Sequence, residues 1–141
     1  MSIRKAEVED KFAIAELAES CVPWLRASVV GTYEFFARCF RNTFFVYEEN
    51  GKIIGYLVGF PNTAVKREFW IYQIGIYEEH RGKGIGSKLF ARMVEQVKSE
   101  GYSRIRSHFK FENKQSQALH EKFGMKIYGK DDRGWFVEVV F

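Results

Sequence analysis

The stretch that most restricts this chain's fold is Phe69-Trp70-Ile71-Tyr72-Gln73-Ile74-Gly75-Ile76-Tyr77, apolar or aromatic on both faces of an extended strand. Such a strand must be covered from both sides, which predicts a central position in a sheet with helices packed on either face. It runs through Glu78-Glu79-His80 into Arg81-Gly82-Lys83-Gly84-Ile85-Gly86-Ser87, and from there Ile85, Leu89, Met93, Val94 and Val97 trace one face of a helix that Gly101 stops. Glycines let a backbone come close to an oxyanion, and the first turn of a helix offers unpaired N–H groups at the positive end of its dipole. A buried strand, a glycine loop and a helix in that order predict a phosphate site.

The flanking chain supplies the remaining layers. Ser2 to Ala6 reads as a short edge strand. Asp10 is placed to cap a first helix whose apolar face carries Phe12, Ile14, Ala15, Leu17 and Ala18 and which ends near Ser20. From Trp24 to Phe40 apolar residues recur at three- and four-residue intervals around Gly31, which predicts two short helices or one broken one. Thr43 to Tyr47 and Ile53 to Phe60 flank the turn Glu49-Asn50-Gly51-Lys52 as a hairpin, followed by a polar loop from Pro61 to Arg67. Beyond Gly101 come a strand from Tyr102 to Phe111, a helix from Gln115 to Phe123 closed by Gly124, and a terminal hairpin of Met125 to Tyr128 with Gly134 to Phe141. No repeat or low-complexity segment breaks the chain, so residues 1–141 are expected to form one domain.

The net charge of +4 favours an anionic partner, but the basic residues are scattered from Arg4 to Arg133 among 18 acids, which argues against nucleic acid. Aromatic residues make up 17% of the chain, so rings must fill much of the core. Cys21 and Cys39 form no Cys-x-x-Cys and have no histidine pair nearby; two buried thiols are expected, with no disulfide framework and no metal site. The charged start Ser2-Ile3-Arg4-Lys5-Ala6-Glu7 and the lack of a long apolar run predict a soluble, cytoplasmic protein without a membrane span.

Spacing narrows the phosphate ligand. A Walker loop requires four residues between its first glycine and Gly-Lys, with Ser or Thr next; here Gly84 follows Lys83 and Gly75 lies too far upstream. A dinucleotide fingerprint requires glycine where this chain has Ser87. What remains is Arg81-x-x-Gly84-x-Gly86 after a central strand, and with it the chain resembles the GNAT superfamily of acetyltransferases. The resemblance runs from Ile3 to about Phe141 in element order, and Asn113 with Ala118-Leu119-His120-Glu121-Lys122-Phe123-Gly124-Met125 is similar to the family's second signature. It implies an α+β fold in three layers, a mixed and mostly antiparallel sheet of six to seven strands with helices on both faces.

It also implies acetyl-coenzyme A as co-substrate, a primary amine as acceptor and direct attack in a ternary complex without a metal. In that family the strand before the loop and the next strand splay, and the pantetheine arm lies in the gap. The backbone of Ile74, Gly75 and Ile76 would then pair with that arm, while Arg81, Gly82, Lys83, Gly84, Ile85, Gly86 and Ser87 meet the pyrophosphate, with Asn113 and Ser116 as further coenzyme contacts. Gly75 has a second reading, relief of packing against an aromatic neighbour. Lys88 reads as a solvated charge.

Relatives commonly protonate the departing sulfur with a helix tyrosine; here His120 stands in that place, with Tyr128 and Tyr77 as fallback donors. Histidine is the better acid near neutrality, though a rim histidine hydrogen-bonding coenzyme or solvent fits the sequence equally. Where many relatives carry a strand Glu, this chain has Tyr72 and Gln73, and Gln73 can orient a water or the amine but cannot accept its proton. Glu34, Glu68 and Glu112 are candidate relays. The stretch around Phe69-Trp70-Ile71-Tyr72-Gln73 further resembles the diaminobutyrate acetyltransferases of ectoine synthesis, which implies a small amino-acid or diamine acceptor. Two alternatives stay open: an acyl-coenzyme-A-binding sensor without turnover, and an acetyltransferase acting on protein N-termini or lysines. The chain is compatible with a monomer or a homodimer.

Overall fold

In the computed structural model, which describes residues 2–141, seven strands form one sheet in the order β1-β2-β3-β4-β5-β7-β6. β1 (Ser2–Lys5) is an edge strand on β2 (Phe44–Glu49), and β2 forms a hairpin with β3 (Lys52–Pro61). The Asn50-Gly51 turn takes positive φ at both residues (53° and 75°), the turn conformation that matches strand twist. β4 (Glu68–Ile76) lies at the centre, as its two apolar faces require. It pairs antiparallel with β3 and parallel with β5 (Arg104–Lys110), so a crossover must join β4 to β5; α3 (Ile85–Ser99) makes it. β7 (Gly134–Val140) returns beside β5, and β6 (Lys126–Lys130) closes the far edge.

Two apolar layers separate the sheet from its helices. α1 (Lys11–Ser20) and α2 (Val30–Cys39) bury Ile14, Leu17, Ala18, Tyr33, Phe36 and Ala37 against Phe44, Val46, Tyr56 and Val58. On the other face α3 buries Ile85, Leu89, Phe90, Met93 and Val97 against Phe45, Leu57, Phe69, Ile71 and Ile105. α4 (Lys114–Lys122) joins that layer through Leu119 and Phe123, the latter stacked on Phe90 with ring centroids 4.6 Å apart. The three-layer arrangement and mostly antiparallel sheet are those implied by the resemblance.

Local expectations fail where tertiary contacts outweigh pattern. Asp10 does not cap α1: its carboxylate accepts from the Glu7 amide and pairs with Arg4, closing a short 3₁₀ turn ahead of the helix. Phe12, assigned to the apolar face, is exposed. Between Cys21 and Val29 the chain is irregular, with a cis Val22–Pro23 peptide, and the Trp24–Phe40 region holds a single helix, α2, from Val30 to Cys39. Cys21 is buried as expected, but Cys39 at the end of α2 is exposed.

Candidate active site

The geometry of the site begins in β4. The β3–β4 register steps from Val58↔Gln73 to Gly59↔Ile71, so Tyr72 is an extra residue, a β-bulge. Phe69 and Ile71 pack toward α3, whereas Tyr72 contacts Phe36 and Phe60 and Gln73 bonds Tyr33, all on the α1/α2 side. The bulge bends β4 away from β5. Their parallel pairing covers only Glu68↔Arg104, Phe69↔Ile105 and Trp70↔Arg106, and the edge of β4 from Ile71 to Ile76 has no strand partner on that side.

Into this gap opens a groove of about 400 Å³ that runs past Ile74, Gly75 and Ile76 to the start of α3. Ile85, Gly86 and Ser87 line it, as do Arg81, Gly82 and Gly84 from the loop and Asn113 and Ser116 from the start of α4. Gly82 and Gly84 have φ of 79° and 81°, the left-handed region where a side chain is strained. The first bond of α3 runs from Lys88 N–H to Gly84 O, so the amides of Ile85, Gly86 and Ser87 lie ahead of the helix's own ladder. Gly86 is closely packed: a Cβ there would lie 3.2 Å from the Ile76 side chain and 3.4 Å from that of Leu119, so both would have to shift slightly. Gly75 lines the groove, and a Cβ on it would come within 2.6 Å of the Tyr56 ring, the packing constraint of its second reading.

The charged residues are arranged differently from expectation. Arg81 lines the groove but also turns back on β4, its Nε donating to Ile76 O at 3.0 Å, which braces the loop. Lys83 is exposed and outside the groove lining. Lys122, not singled out from the sequence, reaches from α4 to Ser87 Oγ at 3.0 Å and holds an ammonium beside the α3 N-terminus. Its only sequence signal was its place in the Leu119-His120-Glu121-Lys122 stretch.

A recess of about 60 Å³ adjoins the groove, sharing Trp24, Leu25, Ile74, Asn113 and Ser116 with it and adding Tyr72, Gln73, Ser107, His108 and His120. His120 is buried beneath α4, not on its rim. Its Nδ1 lies 2.7 Å from Ser116 O and its Nε2 2.9 Å from Ser107 Oγ, and it packs on Phe90 and Phe109. Burial pulls its pKa down to about 4, only partly opposed by the Ser116 carbonyl. The imidazole is therefore neutral at physiological pH, with Nδ1–H donating to Ser116 O and Nε2 accepting from Ser107. A buried imidazole bonded at both nitrogens differs from the two places the sequence suggested for it, donor to the sulfur or histidine on the helix rim.

Gln73 is equally committed. Its Oε1 accepts from the Tyr33 and Tyr56 hydroxyls at 2.9 and 2.8 Å, and its Nε2 donates to Arg26 O at 2.6 Å. Burial holds the Tyr56 phenol well above its ordinary pKa, so it stays a donor. Gln73 thus ties the irregular 21–29 segment to the sheet, and its oxygen is not free to orient an amine. Tyr128 lies away from the site on β6, beside Arg106 and Phe136, and lines neither cavity. The carboxylates Glu34, Glu68 and Glu112 also line neither: Glu34 pairs with Lys11, and Glu68 accepts from Asn62 and Trp70. Among the described residues no cluster of His, Cys, Asp and Glu is arranged to hold a metal, and no helix is long and apolar enough to cross a membrane.

Comparison with known proteins agrees with this architecture. The family model described as "Acetyltransferase (GNAT) family" matches residues 11–125. An L-2,4-diaminobutyric acid acetyltransferase from Shouchella clausii is 26% identical over 124 residues, 86% of this chain and 67% of the relative. The chain spans about two thirds of the length of such curated relatives. Among solved structures, the diaminobutyrate acetyltransferase EctA from Paenibacillus lautus, in complex with L-2,4-diaminobutyric acid and coenzyme A, superposes with a TM-score of 0.87 at 17% identity, over 99% of this chain and 93% of that one. An N-acetyltransferase from Staphylococcus aureus gives a TM-score of 0.82 at 27% identity, over 99% and 97% of the two chains. With its splayed central strands and glycine-opened helix, and a family match covering most of its length, the chain belongs to the acetyltransferase (GNAT) family of acetyl-coenzyme-A-dependent N-acetyltransferases.

Proposed function

We propose that this enzyme transfers the acetyl group of acetyl-coenzyme A to a primary amine of a small amino acid or diamine. The observation that carries this reading is the continuous path from the α3 N-terminus, along the unpaired edge of β4, to the small recess beyond it. The pyrophosphate would rest on the amides of Gly84 to Ser87 with Lys122 alongside. The pantetheine arm would pair with the free β4 edge at Ile74 to Ile76 as an added strand does. That leaves the thioester at the mouth of the recess, where a recess of about 60 Å³ fits an amine head and a short chain. The similarity to diaminobutyrate acetyltransferases favours an acceptor of that class.

In the reaction the neutral amine attacks the thioester carbonyl, the C–S bond breaks, and the sulfur takes a proton. A backbone amide of β4 directed at the carbonyl oxygen would stabilise the charge that develops there. The Ser116 hydroxyl, 3.3 Å from His120 Nδ1 and lining both cavities, is our candidate for delivering a proton to sulfur. We take residues 1–141 as one acetyltransferase domain acting in the cytoplasm, where acetyl-coenzyme A is available.

Calorimetric titration with acetyl-coenzyme A, followed by thiol release over L-2,4-diaminobutyric acid, other amino acids, diamines and a peptide with a free N-terminus, tests the proposal. Turnover on the small diamines above the peptide is expected. Tight binding with no turnover on any amine would instead indicate a sensor, and preference for the peptide a protein-modifying enzyme. Gly84→Glu should abolish coenzyme affinity, because a charged side chain at a residue with φ of 81° strains the turn and repels the diphosphate; retained affinity would refute the loop assignment.

A further inference from the structure

None of the roles assigned above takes the proton that an ammonium must lose before it can attack. We infer that His108, held by Asp131, is the general base of the acetyl transfer and that it takes the acceptor's proton on Nδ1. The inference rests on the acetyltransferase reading above and adds a catalytic residue to it.

The argument is geometric. Side chains of β5 alternate: Ile105, Ser107 and Phe109 are buried on the α3/α4 side, while Arg106, His108 and Lys110 point to the opposite face. The splay between β4 and β5 makes the recess an opening through the sheet. Ser107 and His120 line it on the coenzyme side, and Tyr72, Gln73 and His108 line it on the other. An amine entering from the α1/α2 face therefore meets His108 as it approaches the thioester.

The imidazole is fixed and given its tautomer by the β6–β7 turn. His108 Nε2 lies 3.0 Å from Asp131 Oδ1, which also accepts from the Arg133 and Gly134 amides at 2.9 Å each. Three donors converging on one oxygen hold the carboxylate ionised, and the histidine contact is the largest reason its pKa lies well below the usual range. An ionised Asp131 requires Nε2 to carry the hydrogen and leaves the Nδ1 lone pair, which has no hydrogen-bond partner among the described residues, as the basic site. The turn lies close against β5. Gly134 pairs with Lys110 so closely that a Cβ on it would fall 1.9 Å from Phe109 O. Phe136, opposite His108, packs on the ring with centroids 4.7 Å apart.

The step balances. His108 Nδ1 takes one proton from the ammonium, and the freed lone pair attacks the thioester carbon. The C–S bond then breaks, and the second nitrogen proton goes to sulfur, giving the amide and coenzyme A thiol. The imidazolium returns its proton to solvent.

His108→Ala tests this on an amine that the wild type acetylates, so wild-type turnover checks the underlying reading separately. The charged and titratable groups around His108 are Asp131 and Arg133 from the turn, Arg106 and Lys110 on β5, Tyr72 on β4, Tyr128 on β6, Glu138 on β7 and the neutral His120 of α4 across the recess. All of these remain in the variant. At neutral pH the variant's kcat/KM should fall on the order of 10²-fold, with acetyl-coenzyme A affinity unchanged by calorimetry. The deficit should shrink about tenfold per pH unit toward the amine's own pKa, where no base is needed, and added imidazole should restore part of the rate. Asp131→Asn, which disturbs the tautomer but not the ring, should fall less and keep the same pH trend. A His108→Ala loss that is equal at every pH and untouched by imidazole, or activity within twofold of wild type, would overturn the assignment.

Discussion

His120 shows how far a residue's neighbours can displace its chemistry. In sequence it stands where relatives place a proton donor, yet it is 2% exposed and its imidazole is neutral, bridging Ser107 and the first turn of α4. A histidine whose folded pKa lies near 4 while its unfolded value is about 6.5 binds more protons when unfolded. Its contribution is therefore fully present above about pH 6.5 and is lost as pH falls toward 4, roughly 3 kcal/mol in all. Urea unfolding at a series of pH values should show that loss, and His120→Gln should flatten this part of the profile; an unchanged slope would place the titration elsewhere.

At the scale of elements, the bulge at Tyr72 decides most. It bends β4 from β5 to open the gap and turns Gln73 toward α2, where that one side chain ties Tyr33, Tyr56 and the Arg26 carbonyl together. Tyr33 continues the tie by accepting from the Ser28 amide at 3.1 Å. Gln73→Leu would take the acceptor from the Tyr33 and Tyr56 hydroxyls and the donor from the Arg26 carbonyl, at a cost of about 3 kcal/mol or more. Because the freed 21–29 segment carries Trp24 and Leu25 into the recess, KM for the amine should rise more than Kd for acetyl-coenzyme A. Denaturation together with separate determination of the two constants checks this; equal changes in both would mean that the segment does not shape the acceptor side.

Over the whole molecule, the net charge of +4 matters less than where two elements distant in sequence converge. α4 brings Lys122 to Ser87, so an ammonium stands beside the positive end of the α3 dipole. Lys122→Ala should weaken coenzyme affinity on the order of fivefold at low salt, and the difference should narrow as salt is raised. Titration at two ionic strengths measures it, and an effect independent of salt would argue against a charge role.

Much of this protein could be read from its chain because the signals were local. Apolar periodicity on β4 and α3, the Asn50-Gly51 turn, and glycines at 82, 84, 101 and 124 that take positive φ each express a preference of a few adjacent residues, and together they specify the layered sheet and the glycine loop ahead of α3. The site's protonation chemistry was decided elsewhere. Whether His120 is charged depends on burial by α3, α4 and β5; whether Gln73 is free depends on hydroxyls 17 and 40 residues away; and His108 gained its partner 23 residues along the chain only when β5 paired with β7. Solvent exclusion and hydrogen-bond pairing are properties of the assembled fold, so the order of residues could specify a glycine loop that opens a helix but not which side chains would be left to move a proton.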